Sequence, residues 1–404
     1  MPFDSQLQQV QFLDKYARWR DDLKRRETWG ETVGRVMSFF QHHMSVNFSK
    51  EAYKAIPWDS LAEGMYKLEA LPSMRVVQMA GPALEREHLC AYNCAALPLK
   101  DWKAFSELLY ILMQGTGCGF SVEEKFVSQL PVIQSPRGIT VSWSIEDTTE
   151  GWCDALYVAL SYTAKGVEVN FDYSDIRPQG SPLKTKGGRA SGPEPLKQLL
   201  DTVVRRLRAK TGQRLSSLDC HDIACLCGSI VQVGGVRRAA EISLSDLWDT
   251  TLRDAKKGAF WQDAPYRAMA NNSAVYEEKP DAQTFLKEWL SLVESGTGER
   301  GIFNRGFINS QIPARRAKRD DWLVNPCGEI VLRPFGLCNL SIAVARAEDT
   351  EETLSHKVYL AAIWGTLQST LTRFNYVRDE WKKNAEDERL LGVDINGQMD
   401  CPLL

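Results

Sequence analysis

Two cysteines and a carboxylate within residues 325–339 form the group of side chains best suited to chemistry. Glu329 lies two positions after Cys327, and Cys338 lies eleven positions after Cys327. A proline precedes Cys327 and a glycine follows it. Because proline fixes φ and lacks a backbone donor, while glycine accepts positive φ, this stretch predicts a tight loop that presents the Cys327 thiol. The turn type decides whether the Glu329 carboxylate points in the same direction as the Cys327 thiol.

Two other interpretations of these cysteines stay open at this point. Zinc sites usually bring ligands in close pairs such as C-x₂₋₄-C, and nothing near residues 325–339 supplies that spacing. Free cysteines are most often small buried residues. The Asn-Pro-Cys-Gly-Glu pattern indicates redox or nucleophilic chemistry at Cys327 as an alternative to an ordinary buried cysteine.

Composition excludes several classes of protein. The chain has 404 residues, of which 44% are hydrophobic and 25% charged, as is typical of a globular protein. A net charge of −3 without a Lys/Arg block argues against a nucleic-acid partner. No apolar run approaches the roughly 20 residues of a membrane span, and the N-terminus lacks a secretory signal pattern. The ten cysteines therefore indicate reduced thiols and a cytoplasmic location.

The elements that must position the loop follow an α/β pattern. Residues 7–69 show helical periodicity, and a short buried strand is predicted to end at Pro98, with Cys94 on or beside it. Cys94 is a candidate partner of the loop cysteines, although a core position remains open. The alternating glycines of residues 115–123 indicate close packing of backbone against the floor of the site. Recurring helix, turn and strand predict an α/β barrel or open sheet.

Residues 181–193 form the most loop-like segment and are a candidate nucleotide-binding loop. Cationic and hydroxyl side chains among glycines suit a polyanion such as a nucleotide phosphate, whereas a surface loop without a ligand is the alternative. The candidate residues are Lys184, Lys186, Gly187, Gly188, Arg189 and Ser191.

Residues 221–228 contain one histidine and two cysteines. Apolar residues between them predict a buried helix instead of a metal cluster. We therefore expect no metal site in this chain.

Several segments together resemble the catalytic chain of ribonucleotide reductase, most closely the monomeric adenosylcobalamin-dependent class II type. They follow one another in order from about residue 70 onward, and each is weak alone but specific in combination. The segments are residues 71–75, 92–94, 117–123, 149–156, 187–193, 234–238, 269–273, 298–305, 325–330 and 338–340.

The resemblance implies a role for each candidate residue of the site. Cys327 would carry a thiyl radical that abstracts the ribose 3′-hydrogen. Glu329 would act as base on the 3′-hydroxyl, and Asn325 would hydrogen-bond the sugar hydroxyls. Cys94 and Cys338 would form the dithiol that reduces the 2′ position and ends as a disulfide.

The resemblance also implies a fold and a set of partners. The family fold is a ten-stranded α/β barrel of two half-barrels, with a finger loop through its centre. We expect a helical region at 1–70, the first half-barrel at 71–324 with an effector loop at 181–193, the finger loop at 325–340 and the start of the second half-barrel at 341–404. The implied ligands and partners are a ribonucleotide substrate, a dNTP effector, adenosylcobalamin, a thioredoxin-like reductant and a complementary C-terminal reductase polypeptide.

Two alternative functions stay open. The radical could come from a separate ferritin-like subunit instead of adenosylcobalamin. The chain could also be a non-catalytic remnant that binds nucleotides. The choice between diphosphate and triphosphate substrates is open as well.

Overall fold

A helical region precedes the main sheet. The computed structural model of the chain describes residues 3, 5–183, 188–233 and 239–404. Ser5 and Thr28 cap the two longer N-terminal helices, each in a capping box. A two-stranded hairpin interrupts the predicted helical run, since its polar, charge-rich segment has no apolar face to bury. The elements are α1 (Gln6–Lys15), β1 (Trp19–Arg20), β2 (Arg25–Arg26), α2 (Trp29–Asn47), α3 (Lys50–Lys54) and α4 (Trp58–Tyr66).

Eight strands of the described chain form one sheet. Its order is β10-β9-β8-β5-β4-β13-β14, and β3 also pairs with β13. The five strands from β10 to β4 are parallel, β13 runs antiparallel to β4, and β14 is parallel to β13. The strands are β3 (Ala70–Pro72), β4 (Cys94–Pro98), β5 (Gly117–Ser121), β8 (Glu241–Asp246), β9 (Ala270–Val275), β10 (Gly301–Phe303), β13 (Gly336–Val344) and β14 (Leu391–Asn396).

Helices connect the strands and cover one face of the sheet, as parallel connections require. The largest hydrophobic cluster among the described residues lies between these helices and that face and extends into the N-terminal helices. The helices are α5 (Met74–Met79), α6 (Pro82–Arg86), α7 (Trp102–Gln114), α8 (Glu124–Val127), α9 (Thr149–Ala164), α10 (Glu194–Ala209), α11 (Ser217–Val233), α12 (Thr250–Asp254), α13 (Phe260–Asp263), α14 (Ala282–Ser295), α15 (Arg305–Gln311), α16 (Glu351–Ser369) and α17 (Asp379–Glu388). Short 3₁₀ turns lie at His88–Ala91, Pro265–Met269 and Gln398–Asp400.

Two smaller strand pairs lie outside the main sheet. β6 (Ile139–Ser144) and β7 (Val167–Asp172) pair in parallel around α9. β11 (Leu323–Val324) and β12 (Val331–Leu332) form an antiparallel hairpin, here called the finger hairpin. The finger hairpin packs on the inner face of the main sheet, in a second cluster that is separate from the helix-covered core.

The predicted α/β fold is confirmed, with one local difference. Within the region predicted as finger loop, 325–340, the turn itself occupies only residues 325–330, and residues 336–340 already belong to β13. Cys338 therefore lies in a strand. The mostly apolar run from 336 to 344 supports this buried strand.

Candidate functional site

Local backbone chemistry builds the turn of the finger hairpin. The Gly328 N–H donates to the Asn325 carbonyl, 3.0 Å away, and the Asn325 N–H donates to the Ile330 carbonyl at 3.1 Å. The Asn325 side-chain oxygen accepts from the Ile330 N–H at 2.9 Å. Gly328 adopts φ of +89°, a left-handed value that a residue with a Cβ rarely accepts. The turn thus places Cys327 at an exposed tip while Asn325 stays fully buried.

Two glycines of β5 let the finger hairpin approach the sheet. A Cβ on Gly119 would lie 1.9 Å from the Val324 carbonyl oxygen, and a Cβ on Gly117 would lie 2.9 Å from Pro326. Glycine is therefore required at position 119 for the hairpin to pack at this distance. The close packing predicted from the glycines of residues 115–123 is confirmed. Cys118, between the two glycines, points into the helix-covered core.

The Asn325 side-chain amide contacts two other predicted site residues, Glu329 and Cys94. Its Nδ2 group donates to a Glu329 carboxylate oxygen at 2.8 Å and to the Cys94 sulfur at 3.4 Å. Cys94 and Cys338 are direct partners across the antiparallel β4–β13 pair. Direct partners have Cα atoms roughly 4.5–5.5 Å apart, which falls within the range that a disulfide spans. The structure therefore brings Asn325, Glu329, Cys94 and Cys338 together beside the Cys327 tip.

All three thiols of the site are held in the protonated form. Burial, assisted by the Glu329 charge, raises the pKa of Cys327 above its ordinary value. Burial raises the pKa of Cys94 to about 12, despite the hydrogen bond from Asn325. Burial and the proximity of Cys94 raise the pKa of Cys338 as well. All three are free cysteines.

A buried ion pair anchors the base of the finger hairpin. The Arg305 guanidinium bonds both carboxylate oxygens of Glu123 at 2.7 and 2.6 Å, and its Nε donates to the Trp322 carbonyl at 2.8 Å. Trp322 directly precedes β11. The Arg305 and Glu123 side chains are 1% and 2% exposed, so the pair is withdrawn from water. Glu123 and Arg305 lie in the family-like segments 117–123 and 298–305, but one sequence carries no signal that pairs positions 182 apart.

A second anchor holds the other strand of the finger hairpin. Arg316 donates to the Val331 carbonyl at 3.2 Å and pairs with Glu388 at 2.7 Å. The Arg316 guanidinium also lies 4.5 Å from the Trp322 ring centroid. Both strands of the hairpin are thus fixed by arginines whose side chains are largely buried, and neither arginine was predicted.

The predicted nucleotide-binding loop is only partly described. Lys184, Lys186 and Gly187 lie outside the described residues, as does the segment 234–238. Arg189 donates to the Gly180 carbonyl at 2.9 Å. Ser191 lines a cavity of about 240 Å³, whereas Arg189 is not among its lining residues. Gly188 has φ of +92°.

That cavity lies between the loop, the C-terminal end of α7 and the N-terminus of α9. Two arginines at its wall are each paired with a carboxylate: Arg177 with Asp147 at 2.6 Å, and Arg86 with Glu150 at 3.3 Å. The wall thus carries cationic groups next to the positive end of a 16-residue helix.

Residues 221–228 lie in the buried helix α11, as predicted. His221 Nε2 is bonded to the Asn272 side chain at 2.9 Å. No group of three potential metal ligands occurs among the residues that the structure describes. Within the same residues, no helix is long and apolar enough to cross a membrane.

Comparisons with known proteins agree on one family. The family model described as the B12-dependent ribonucleotide reductase insertion domain matches residues 125–207. The adenosylcobalamin-dependent ribonucleoside-triphosphate reductase of Lacticaseibacillus paracasei is 27% identical and aligns with 99% of this chain and 62% of its own length. The enzyme of the same description from Lactobacillus leichmannii is also 27% identical, over 97% of this chain and 61% of its own length.

Solved structures show the same fold. A crystal structure of a B12-dependent (class II) ribonucleotide reductase matches with a TM-score of 0.77 and 24% identity, over 96% of this chain and 62% of that chain. The class Id ribonucleotide reductase alpha subunit of Actinobacillus ureae matches with a TM-score of 0.53 and 13% identity. The chain spans about 62% of the length of the curated relatives that it matches first. The resemblance to the class II ribonucleotide reductase catalytic chain, expected from the motifs, is thereby confirmed along nearly the whole of this chain.

Proposed function

We propose that this chain is the N-terminal portion of a class II ribonucleotide reductase that converts ribonucleotides to 2′-deoxyribonucleotides. The observation that carries the proposal is the Asn325 amide, which contacts both Glu329 and Cys94 beside the exposed Cys327 tip. The names of the relatives favour a ribonucleoside triphosphate as substrate.

Cys327 would carry the radical, and its raised pKa supports that role. A nucleophilic cysteine needs a lowered pKa, because the thiolate is the reactive form. Hydrogen-atom transfer needs the S–H bond intact, which the raised pKa of Cys327 preserves at neutral pH. The raised pKa thus fits hydrogen-atom transfer better than nucleophilic catalysis, and the ribose 3′-hydrogen as its target is what the family resemblance implies.

The exposed tip also fits the cofactor named by the relatives. When bound, adenosylcobalamin would supply the radical. Cys327 is the residue that this chemistry must reach, and its exposed sulfur leaves a path from outside the finger hairpin.

Glu329 and Asn325 would act on the sugar. The exposed Glu329 carboxylate would accept the proton of the 3′-hydroxyl, and the hydrogen bond from Asn325 orients it for that task. Because Asn325 is fully buried and bonded at both ends of its amide, it holds this geometry with little freedom.

Cys94 and Cys338 would supply the electrons. The C2′–O bond breaks and the hydroxyl leaves as water with one proton of the dithiol, while the two electrons and the other proton form the new C2′–H bond and the two sulfurs join in a disulfide. Their direct pairing across β4 and β13 allows that disulfide without movement of the strands. A thioredoxin-like dithiol would return the pair to the reduced state by exchange.

We further propose that the cavity beside Ser191 takes a dNTP effector. Arg86 and Arg177, next to the N-terminus of α9, would receive its phosphates once their carboxylate partners are displaced. Replacing Arg177 by methionine should weaken dNTP binding to the chain at least ten-fold, as measured by calorimetry. Unchanged binding would remove the effector from this cavity.

Because the chain covers 62% of the relatives' length, the remaining two fifths or so would come from a complementary C-terminal reductase polypeptide. We define it as the polypeptide of the same source that matches the part of the curated relatives that this chain does not cover. It would supply the strands that continue the sheet beyond its two edges, β10 and β14.

Reductase activity of the assembled protein tests the proposal. With the complementary polypeptide, a dithiol reductant and a ribonucleoside triphosphate, turnover should require adenosylcobalamin and vanish in Cys327→Ser. Turnover that needs a ferritin-like subunit instead would favour the alternative radical source. Turnover retained by Cys327→Ser would refute the radical role.

A further inference from the structure

A short turn joins the finger hairpin to the strand that carries Cys338. Residues 333–336, here called the return turn, follow β12 and end on the first residue of β13. Phe335 in this turn has φ of +60°, a left-handed value that residues with a Cβ rarely adopt. A backbone of this kind persists only where surrounding contacts hold it in place. The contacts made by the return turn therefore decide how β13 begins.

The Asn384 side chain of α17 provides two of these contacts. Its Nδ2 group donates to the Pro334 carbonyl at 2.8 Å and to the Phe335 carbonyl at 2.9 Å. The two carbonyls belong to the peptide units on either side of Phe335, and the two hydrogens of one amide group satisfy both. Asn384 thus fixes the backbone at the left-handed residue from both sides.

The same face of α17 also holds the Phe335 side chain. The buried Phe335 ring meets the Trp381 ring edge-on, with centroids 5.5 Å apart. Trp381 and Asn384 lie three positions apart on α17, a spacing that places both side chains on one side of the helix. The Arg378 guanidinium lies 4.5 Å from the centroid of the Phe335 ring and is itself bonded to Glu107 at 2.8 Å. The ring and the backbone of the return turn are therefore fixed together.

The return turn sets the register of the strand that carries Cys338. The Phe335 N–H donates to the Ala96 carbonyl at 2.8 Å, immediately before the pairing of β13 with β4 begins. That pairing consists of three residue pairs, and the third brings Cys338 opposite Cys94. A shift of one residue would turn Cys338 to the other face of the sheet. Because so short a pairing offers little resistance to slippage or fraying, the turn before it has to supply the constraint.

We propose that Asn384 is a positioning residue for the Cys94–Cys338 dithiol: by holding the return turn, it keeps Cys338 opposite Cys94 and within reach of a disulfide. The role of this dithiol in reduction rests on the proposed function, whereas the hold on the return turn comes from the Asn384 hydrogen bonds. Asn384 acts through the backbone of residues 334–338, since its amide is bonded to the carbonyls of the turn. Loss of these bonds should let the start of β13 move and reduce the fraction of time in which the two thiols can join.

The thiol–disulfide equilibrium of the full chain tests the proposal. The chain would be equilibrated in buffers of reduced and oxidised dithiothreitol, and the Cys94–Cys338 disulfide quantified by mass spectrometry after digestion. Asn384→Ala should shift the equilibrium about five-fold toward the dithiol, as expected for the loss of a hydrogen bond. Asn384→Asp, which keeps the shape of the side chain but removes the donor, should shift it in the same direction. Lys383→Ala, at the exposed neighbouring position of α17, is the matched control and should stay within about two-fold of wild type.

A second control separates positioning from a general loss of stability. Thr28→Ala removes the N-cap of the remote helix α2, so it destabilises the fold without touching the return turn. This variant should also leave the thiol–disulfide equilibrium within about two-fold of wild type. Urea unfolding would verify that the variants compared are folded.

An Asn384→Ala equilibrium within about two-fold of wild type would overturn the positioning role, as would an equal shift in Thr28→Ala or no shift in Asn384→Asp. The measurement needs no cofactor and is therefore separate from the reductase assay. A wild-type disulfide that Asn384→Ala leaves unaffected would refute the positioning role alone. The expected shift, together with an assembled protein that lacks reductase activity, would refute the proposed function alone. Absence of the Cys94–Cys338 disulfide in the wild-type chain would overturn both.

Discussion

Replacing Gly119 by alanine tests whether the finger hairpin is held where the chemistry needs it. The new Cβ would lie 1.9 Å from the Val324 carbonyl oxygen, and real Cβ contacts essentially never fall below 3.0 Å. The difference of about 1.1 Å must be absorbed by β5 or by the hairpin. Overpacking of this kind typically costs about 1–3 kcal/mol, and because the clash is with backbone we expect about 3 kcal/mol. Asn325 follows Val324 directly, so its 3.4 Å contact with Cys94 should be lost.

Urea unfolding of Gly119→Ala measures that cost. Gly34→Ala is the control, since Gly34 lies on the exposed face of α2 and a Cβ added there would meet nothing within 4 Å. Alanine at that position should stabilise the helix by about 0.5–1 kcal/mol. A Gly119→Ala protein within about 0.5 kcal/mol of wild type, the range of neutral surface changes, would refute the packing argument.

The remaining predictions concern the thiols and the buried ion pair. Mild oxidation with diamide should remove two titratable thiols through a Cys94–Cys338 disulfide, visible by mass spectrometry of the digested protein. Arg305→Met should cost about 3 kcal/mol in urea unfolding, because the buried Glu123 carboxylate loses its two-pronged partner and keeps only Lys125, 3.3 Å away, and the Ser121 hydroxyl. Burial alone would raise the pKa of Glu123, but the hydrogen bonds and charge of Arg305 lower it below its ordinary value. The stability that Glu123 contributes is therefore present above the pKa of the unfolded state, about 4.3, and is lost as the pH falls through the lower pKa of the folded state. Urea unfolding measured between pH 7 and pH 3 would show this loss. Alkylation of Cys327 by iodoacetamide should be slow at pH 7 and increase above pH 9, since its pKa is raised.

Controls separate these effects from general damage. Cys94→Ser should abolish the disulfide, and an oxidised product that pairs other cysteines would contradict the site geometry. The pH dependence should flatten in Glu123→Gln, and an unchanged slope would assign it to other carboxylates. Fast alkylation of Cys327 at pH 7 would show a thiolate and argue against hydrogen-atom chemistry.

Much of the site could be predicted from the sequence because its turn is encoded locally. The proline and glycine around Cys327 define the tip, and the buried strand ending at Pro98 places Cys94. The glycines of β5 indicate close approach, which the structure confirms at Gly119. The assignment of roles to the cysteines came from the resemblance and stays a proposal.

What could not be predicted depends on contacts between distant parts of the chain. Arg305 and Glu123 are far apart in sequence, and nothing local marks them as partners. Residues 336–340, predicted as part of the finger loop, belong to β13 because Cys338 pairs with Cys94 on β4. Which side of α14 faces the protein is decided by the Glu288–Arg300 ion pair, a contact that no local pattern marks.

Single-turnover chemistry tests the central claim most directly. The assembled protein, reduced beforehand, freed of external dithiol and supplied with adenosylcobalamin, would be mixed with a ribonucleoside triphosphate. The account predicts at most one deoxynucleotide per chain, matched by the loss of two thiols at Cys94 and Cys338, and no product with Cys327→Ser. Repeated turnover without a reductant, or product from Cys327→Ser, would contradict it.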